Sequence, residues 1–410
     1  MVSSAHSLIS ARMHTHAPKQ RRLRGGAALA SVGAMIGVLF AGSTILTPLY
    51  FIYEHALGFS RLTLTLIYAV YVVGNLAALF LFGRFSDRVG RRRAALPSLA
   101  LAAVSALVFM FEQGVISLYI GRVLGGLAVG IGAGTGTAWL AELIADDDKR
   151  RAGSLATAIN FLGLGCGALA AGLLAEYGPW PLRLTFIVYI AAVLAIVPLV
   201  WRTQETVTPV KGESAWPRPR LSVPQQRRAQ FVAPAVSGFV AMALTGFYAA
   251  LAPSILGDNL HEPSHAVAGL LFFELAIVVA GTILLTRDVA SRTAMLWALA
   301  LMPPSVGLIL AAQLTASMPV MLAATALCGV AAGLGYCGSL QVVNQIAPAA
   351  QRAEVVSSYF VCCFAGNALP VIGIGVLTML ASAATASVVF AIAIALFALA
   401  ALWFGLKYGR

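Results

Sequence analysis

The sequence predicts an all-α membrane protein with twelve transmembrane helices in two related halves, and three observations lead to this fold class. Hydrophobic residues make up 60% of the 410 residues, charged residues make up 10%, and the mean hydropathy is +0.88. Soluble domains carry about 25% charged residues. Long apolar stretches recur along the whole chain, and the second half repeats the spacing of the first. These properties exclude an ordinary soluble enzyme or binding domain.

Twelve stretches are apolar over about the 20 residues that an α-helix needs to cross a bilayer. Each must be helical, because hydrocarbon offers no partner for backbone N–H and C=O groups and a helix satisfies its own. We place the spans of the first half at residues 28–52, 62–83, 94–111, 115–142, 153–175 and 180–201. Those of the second half lie at residues 231–256, 265–286, 293–312, 317–346, 354–378 and 383–406.

Two polar segments set the domain organisation. Residues 1–27 form a basic tail without acidic residues, in which Met13 is an alternative start. Residues 202–230 form a linker rich in proline and charge, which cannot cross lipid. The linker separates a six-helix bundle of residues 28–201 from a six-helix bundle of residues 231–406, and we expect both the tail and the linker in the cytosol.

The net charge of +12 follows the topology and does not indicate a nucleic-acid partner. With the N-terminus placed inside, 24 of the 27 lysine and arginine residues fall in the tail, the inward loops or the C-terminus. Only Arg61, Arg122 and Arg183 lie elsewhere. An excess of Lys and Arg in cytoplasmic loops is the usual charge bias of membrane proteins. We therefore expect a multi-pass protein of the bacterial inner membrane with both termini in the cytosol.

Residues recur between the two halves at a nearly constant offset. At 203 residues the matches are Gly126 with Gly329, Gly130 with Gly333, Gly132 with Gly335, Ser154 with Ser357, Gly163 with Gly366 and Gly172 with Gly375. At 201 residues, Asp87 matches Asp288 and Arg91 matches Arg292. Two repeats with a binding site at their interface are an arrangement of secondary transporters.

The most specific motif lies between the second and third spans. It reads Gly83-Arg84-Phe85-Ser86-Asp87-Arg88-Val89-Gly90-Arg91-Arg92-Arg93. Gly90 allows a tight turn, Asp87 can accept hydrogen bonds from a helix N-terminus, and the arginines can pair with carboxylates. The motif resembles the signature loop of the major facilitator superfamily, Gly-x-x-x-Asp-Arg-x-Gly-Arg-Arg. This resemblance covers residues 28–406.

The resemblance implies a bundle that opens alternately to either side of the membrane, with this loop as a latch on the cytoplasmic side. In that family the latch includes an acidic residue at the end of the fourth span, where this chain has Glu142. The expected cytoplasmic gate comprises Gly83, Asp87, Arg88, Gly90, Arg91 and Glu142, with Asp288 and Arg292 as its reduced second copy. The alternative is a turn whose arginines only fix the topology.

Two charged residues inside predicted spans are expected to act in transport or coupling. Arg122 opens a glycine-rich pattern about 9 Å from the outer surface and looks like the family's fourth-helix motif, whose arginine has been linked to proton coupling. Alternatively, its guanidinium reaches the outer headgroups. Glu274 is the only acid near the middle of any span. A carboxyl group there can bind and release a proton, balance a cationic substrate, or stay protonated and hydrogen-bonded.

The fifth span resembles the family's antiporter motif, Gly-x-x-x-Gly-Pro-x-x-Gly-Gly. The segment begins at Gly163 and ends at Gly172, with Ala168 in place of the proline and Ala171 in place of a glycine. The resemblance implies export by antiport, although small residues on one helix face are also ordinary membrane packing. Polar residues in the spans are candidates for the substrate cavity: Ser43, Thr47, Tyr50, Asn160, Gln341, Asn344 and Asn367.

The chain has no phosphate-binding loop and no metal-ligand spacing, so we expect no cofactor, no metal and no enzymatic activity. The sequence predicts a monomeric transporter in the lipid bilayer that exports a small drug-like or amphipathic molecule in exchange for protons. One alternative is proton-driven uptake of a small metabolite. A membrane sensor or scaffold without transport is an alternative of another class.

Overall fold

The structure, a computed structural model, describes residues 22–83, 85–144, 149–208 and 221–408. The predicted tail up to residue 21, Arg84 of the motif and residues 209–220 of the linker lie outside the described residues. Regular structure in the described part of the chain is helical, apart from one isolated bridge between Leu23 and Thr203. The predicted all-α fold class is confirmed.

Fifteen α-helices occur among the described residues. Those of the first half are α1 (Gly25–Thr44), α2 (Tyr50–Leu57), α3 (Arg61–Phe82), α4 (Phe85–Val89), α5 (Arg91–Met110), α6 (Val115–Leu143), α7 (Lys149–Tyr177) and α8 (Pro181–Arg202). Those of the second half are α9 (Arg228–Ala250), α10 (Ala252–Asn259), α11 (His265–Leu285), α12 (Ser291–Thr315), α13 (Met318–Ile346), α14 (Arg352–Leu380) and α15 (Ala383–Tyr408). In this part of the chain, twelve are long and apolar enough to cross a membrane, and α2, α4 and α10 are short.

The first and seventh predicted spans are each broken near one end of the bundle. The sequence predicted one helix over residues 28–52, but α1 ends at Thr44 and a turn precedes α2. Pro48 lacks an N–H group, and its ring clashes with the carbonyl four residues earlier, which belongs to Thr44. Pro253 acts in the same way, because α9 ends at Ala250 and α10 begins with this proline in its first turn.

Consecutive spans run in opposite directions, so each loop and short helix lies at one of the two ends of the bundle. The two ends differ in composition. One end carries α4, the start of α5 and the start of α9, with their arginines, and we call it the basic end. The other carries α2 and α10, and we call it the opposite end. The expected gate residues all lie at the basic end.

Glycines allow the same helix packing in both halves. A Cβ atom on Gly163 of α7 would lie 2.4 Å from the Gly37 carbonyl oxygen of α1. A Cβ atom on Gly366 of α14 would lie 2.1 Å from the Phe239 carbonyl oxygen of α9. Close backbone approach at small residues is how membrane helices pack. The repeat seen in the sequence therefore corresponds to equivalent contacts in the two halves.

The halves meet along two pairs of helices, α7 with α11 and α3 with α14. A Cβ atom on Gly172 of α7 would lie 2.4 Å from the His265 carbonyl oxygen, and one on Gly375 of α14 would lie 2.3 Å from the Thr65 hydroxyl oxygen. Both contacts lie towards the opposite end of the bundle. The interface is therefore tightly packed at that end.

Candidate transport site and gates

Arg122 of α6 is enclosed within the first half. Its side chain is only 2% exposed, so the guanidinium does not extend to the solvent at the opposite end. Its Nη1 donates to the carbonyl oxygen of Ser43 at 2.6 Å, and its Nη2 donates to the hydroxyl group of Tyr50. The Nε atom has no hydrogen-bond partner among the described residues. The structure thus joins three residues that the sequence singled out separately.

Three tyrosine rings surround this guanidinium. The Arg122 Cζ atom lies 5.4 Å from the ring centre of Tyr50 and 5.9 Å from those of Tyr68 and Tyr71. Each distance is within the range of a cation–π interaction. We call Arg122, Ser43, Tyr50, Tyr68 and Tyr71 the Arg122 cluster. In the described part of the chain, no carboxylate forms an ion pair with Arg122.

Sequence reasoning missed Tyr68 and Tyr71. Their spacing of three residues in α3 places them on one helix face, a signal that could have paired them. The Tyr68 hydroxyl group also donates to Asn367 Oδ1 of α14 at 3.0 Å. Asn367 in turn donates to the Met242 carbonyl oxygen at 3.3 Å. The Arg122 cluster is therefore linked directly to the second half.

In the second half, Thr325 stands at the position that matches Arg122 at the offset of 203 residues. Its hydroxyl group donates to the Tyr248 hydroxyl group at 3.0 Å. Thr325 thus binds a tyrosine of α9, whereas Arg122 binds a tyrosine of α2. The two halves thus share a polar pair near this position, but only the first half places a buried cation there.

Glu274 lies partly buried on α11. Leu270 and Ile277, one turn before and after it, are exposed apolar residues, so Glu274 lies on an exposed face of this helix. Its Oε2 atom is buried and has no hydrogen-bond partner in the described structure. An unbonded carboxyl oxygen inside a membrane span is costly, so a proton or a positive ligand would stabilise it.

The remaining cavity candidates divide into two groups. Thr47 lies on the turn between Ser43 and Tyr50, and its buried Oγ1 has no partner among the described residues. The same is true of Asn160 Oδ1 on α7. Gln341 and Asn344 lie elsewhere, at the basic end of α13. Gln341 accepts a hydrogen bond from Ser291 at 2.7 Å, and Asn344 is exposed and donates to the Leu340 carbonyl oxygen.

The residues of the gate predicted for the first half lie around Arg91. Its Nη1 donates to Asp87 Oδ1 at 2.5 Å and to Ser86 Oγ at 2.7 Å. Its Nη2 and Nε donate to the Glu142 carboxylate at 2.5 and 3.1 Å. The arginine side chain is 7% exposed. Arg91 therefore ties the loop before α5 to the end of α6, in the pairing that the family resemblance implied for Glu142.

Glu205 of the linker contacts the start of α5 beside these residues, and sequence reasoning missed it. Its Oε1 accepts a hydrogen bond from the backbone N–H group of Arg91 at 2.8 Å, and its Oε2 accepts one from Arg92 at 3.1 Å. The first N–H groups of a helix lack partners within the helix. Asp87 was expected to bind such groups, but Glu205 binds them here. No local pattern signals this role, because Glu205 is remote from α5 in the sequence.

The rest of the linker start is also held against the first half. Thr206 donates to Glu142, and the Trp139 indole donates to the Gln204 carbonyl oxygen at 3.1 Å. Leu23 and Thr203 form the isolated bridge. We call Asp87, Arg91, Glu142, Glu205 and Thr206 the basic-end network. The linker was predicted as a connecting segment, yet its first residues bind the residues of the predicted gate.

Gly90 is required by this geometry. Its φ angle is +100°, a conformation that other residues rarely adopt, and a Cβ atom would lie 2.8 Å from Glu205 Oε2. Gly83 ends α3 without a left-handed conformation. Arg88 is partly buried beside the network. A Cβ atom on Gly83 would lie 2.7 Å from the Leu79 carbonyl oxygen, so neither motif glycine leaves room for a side chain, and Gly90 in addition has a positive φ angle.

The expected second copy of the gate is not assembled in the same way. Asp288 is 89% exposed and lies 3.6 Å from Arg287. Arg292 donates to the Gly405 carbonyl oxygen of α15 at 3.1 Å. Gln345 stands where Glu142 stands in the first half, and it donates to Ser291 at 3.4 Å. The structure does not bring Asp288 and Arg292 together, and the amide Gln345 replaces the carboxylate that binds the arginine in the first half.

At the opposite end, charged residues connect the halves. Arg61 of α3 pairs with Asp258 of α10, and Glu176 accepts a hydrogen bond from the His265 backbone N–H group at 2.9 Å. A cavity of about 450 Å³ opens beside the ion pair, and Glu54 lies in its wall. Burial raises the pKa of the Glu54 carboxyl group, although the nearby Arg61 opposes the shift. This end is closed by contacts between the halves, whereas the basic-end network lies within the first half and the linker.

Known proteins share parts of the sequence and the whole fold. An arabinose-proton symporter of Bacillus subtilis (strain 168) is 30% identical over 93 residues, which are 23% of this chain and 20% of the relative. Multidrug resistance protein 2 of the same organism is 25% identical over 165 residues, 40% of each protein. The matched segments thus span less than half the length of these relatives.

The fold matches a solved transporter. This is a bacterial homolog of the human lysosomal transporter Spinster, whose crystal structure is inward-facing and unoccupied. It has a TM-score of 0.71 and 15% sequence identity, with 93% of this chain and 97% of that chain covered. The sequence pattern of the Major Facilitator Superfamily matches residues 32–369. With twelve candidate spans and a family match over most of its length, the chain is a multi-pass membrane protein that belongs to the Major Facilitator Superfamily of transporters.

Proposed function

We propose that this protein is a secondary active transporter that exports a small drug-like or amphipathic organic molecule across the bacterial inner membrane in exchange for protons. The observation that carries proton coupling is Glu274, a carboxyl group in a membrane span with one buried oxygen that has no partner in the described structure. Intramembrane acids of this kind serve proton and substrate pathways in transporters. The substrate is expected to bind between residues 28–201 and residues 231–406.

In this proposal the basic end faces the cytosol. The excess of Lys and Arg at that end supports the orientation. The polar contacts at the opposite end hold the outer side closed, and they break when the halves rock to open outward. The basic-end network then provides a rigid surface, built from the first half and the linker, on which the second half closes.

Export is supported by the packing of α7 and by one relative. A Cβ atom on Gly167 would lie 2.2 Å from the Ala41 carbonyl oxygen of α1, and one on Gly165 would lie 2.7 Å from the Ala276 side chain of α11. The segment that resembles the antiporter motif thus contacts both halves. The similarity to a multidrug resistance protein favours the same direction.

Uptake of a small metabolite with protons is the second candidate function. The similarity to an arabinose-proton symporter over 93 residues favours it. Transport direction separates the two candidates. Inverted vesicles should accumulate the substrate of an exporter when their interior is acidic, whereas right-side-out vesicles should accumulate the substrate of a proton symporter.

Reconstituted vesicles with an imposed pH gradient test the proposed coupling. A panel of amphipathic compounds is screened for flux that depends on the gradient and on the protein. Glu274→Gln should abolish gradient-driven flux and spare substrate exchange, because the variant keeps the side-chain shape and cannot bind a proton. Glu262→Gln, in the loop before α11, is the matched control and should behave as the wild type. Unchanged gradient-driven flux in Glu274→Gln would refute the assignment.

A further inference from the structure

We propose that the Arg122 cluster binds the anionic group of the transported molecule, so that the substrate class is an amphipathic organic anion. This inference rests on the proposed transport function and specifies its substrate. It assigns to Arg122 direct contact with the substrate, in place of a role in proton coupling or in topology.

The first argument is the uncompensated charge of Arg122. Its side chain is 2% exposed and has no carboxylate partner among the described residues. A guanidinium is always protonated, and it is stabilised in a membrane protein when it pairs with an opposite charge or faces water. The tyrosine rings offset part of the cost through cation–π contacts. A net positive charge nevertheless remains at the cluster.

The second argument is that some N–H donors of the Arg122 guanidinium have no hydrogen-bond partner in the described structure. A guanidinium has five N–H donors, and two hydrogen bonds of Arg122 are made, to Ser43 and to Tyr50. The Nε donor is one of those without a partner in the described structure. Nε and an adjacent Nη together fit a carboxylate through two parallel hydrogen bonds. Thr47, in the chain segment between Ser43 and Tyr50, is 1% exposed, and its hydroxyl group also has no partner among the described residues.

The third argument is the composition of the surrounding wall. Tyr50, Tyr68 and Tyr71 present aromatic faces beside the guanidinium. Aromatic side chains contribute large apolar contact areas together with a polar hydroxyl group. Such a wall suits a molecule with an apolar body and one negative group. A cationic molecule would be repelled by Arg122 at this place.

Access to the cluster depends on the relative position of the halves. The Tyr68 side chain packs against Arg122, and its hydroxyl group is bonded to Asn367 of the other half. When the halves separate, this hydrogen bond breaks and the Tyr68 side chain is free to turn away from the guanidinium. Arg122 then faces the opened space between the halves. Substrate binding is thereby coupled to the motion that changes access.

Three radiolabelled probes of similar size test the charge preference: 4-phenylbutyrate, 4-phenylbutanol and 4-phenylbutylammonium. Binding is measured to the full-length protein in lipid nanodiscs without a pH gradient, and empty nanodiscs give the background. The wild type should bind the anion at least tenfold more tightly than the alcohol or the cation. Equal binding of all three, preference for the cation, or no binding of the anion would overturn the proposal.

Variants then locate the preference. Arg122→Gln should weaken binding of 4-phenylbutyrate at least tenfold, and Arg122→Lys should lose less, because lysine keeps the charge and lacks the planar fork. Arg183→Gln, at an exposed arginine of α8, is the matched control and should bind as the wild type. Wild-type affinity in a folded Arg122→Gln variant would contradict the proposal.

The outcome is distinguishable from failure of the proposed function. The wild-type comparison of the three probes needs neither a gradient nor a variant, so it decides the question even if Arg122→Gln does not fold. Anion binding without gradient-driven flux would leave the substrate class standing and remove proton coupling. Gradient-driven flux without anion binding would leave proton coupling standing and remove the proposed substrate class.

Discussion

Replacing Glu205 by alanine tests whether the linker is part of the gate. Glu205 binds the backbone N–H groups of Arg91 and Arg92 at 2.8 and 3.1 Å, at the start of α5. In Glu205→Ala these two donors lose their partner, and the positive end of the helix loses a negative charge. We expect the first turn of α5 to open more often, and the basic-end network to loosen with it.

The size of the effect follows from the hydrogen bonds and the charge that Glu205 supplies at this helix start. Removing the side-chain cap of a helix N-terminus costs about 0.5–2 kcal/mol. Loss of the charge at that end accounts for about 0.3–1 kcal/mol of this cost for a solvent-accessible group. We therefore expect a local destabilisation of about 1–2 kcal/mol, or a factor of about 5–30 in the opening equilibrium. The stability of Glu205→Gln should lie between those of the wild type and Glu205→Ala, because an amide oxygen still accepts a hydrogen bond.

Hydrogen–deuterium exchange measured by mass spectrometry reports this equilibrium directly. Peptides that cover the start of α5 should exchange about 5–30 times faster in Glu205→Ala than in the wild type. Asp288→Ala is the control at the same end, because Asp288 is 89% exposed and its loss should leave exchange unchanged. Wild-type exchange in Glu205→Ala, or equal acceleration in both variants, would refute the role of Glu205.

Three further predictions concern the gate, the packing and the opposite end. Arg91→Lys cannot bind Asp87 and Glu142 together, so the thermal unfolding temperature should fall with a loss of about 1.5–3 kcal/mol; an unchanged value would contradict the network. Gly126→Ala places a Cβ atom 2.3 Å from a backbone oxygen of α3 and should destabilise the protein by about 1–3 kcal/mol, whereas Gly134→Ala, with open space around it, should not. Similar melting of both variants would argue against this packing. Arg61→Asp should weaken closure of the opposite end by about 1 kcal/mol or less, and adding Asp258→Arg should restore closure. Distances between spin labels on the two halves measure the closure. No recovery in the double variant would show that the pair does not act as a unit.

The two halves share a backbone repeat and differ in their polar groups. Equivalent glycines bring α7 to α1 and α14 to α9, so the frame is the same. A buried cation and an ion-paired gate occur in the first half, whereas the matched positions of the second half hold Thr325 and Gln345. This chemical difference between the halves fits the proposal that the first half binds an anionic group and the second half supplies the acid Glu274.

The sequence by itself determined the fold class, the number of spans and the repeat. Lipid imposes these features locally, because each crossing needs a continuous apolar stretch and a helix that satisfies its own backbone groups. The breaks near Pro48 and Pro253 were also accessible from sequence, since proline ends a helix for a local reason. That Glu142 acts with the motif loop was expected from the family resemblance and not from composition, but the expectation did not name Arg91 as its partner.

Only the tertiary structure decided which polar groups meet. Glu205 reaches the start of α5 from a distant part of the chain. Arg122 gathers partners from the segment around α1 and α2 and from α3, and Tyr68 reaches Asn367 across the interface. Such contacts depend on how each helix is rotated about its axis and which neighbour it packs against. A hydropathy pattern fixes that a helix spans the membrane, but the partner of a buried polar group is fixed by the packing of the whole bundle.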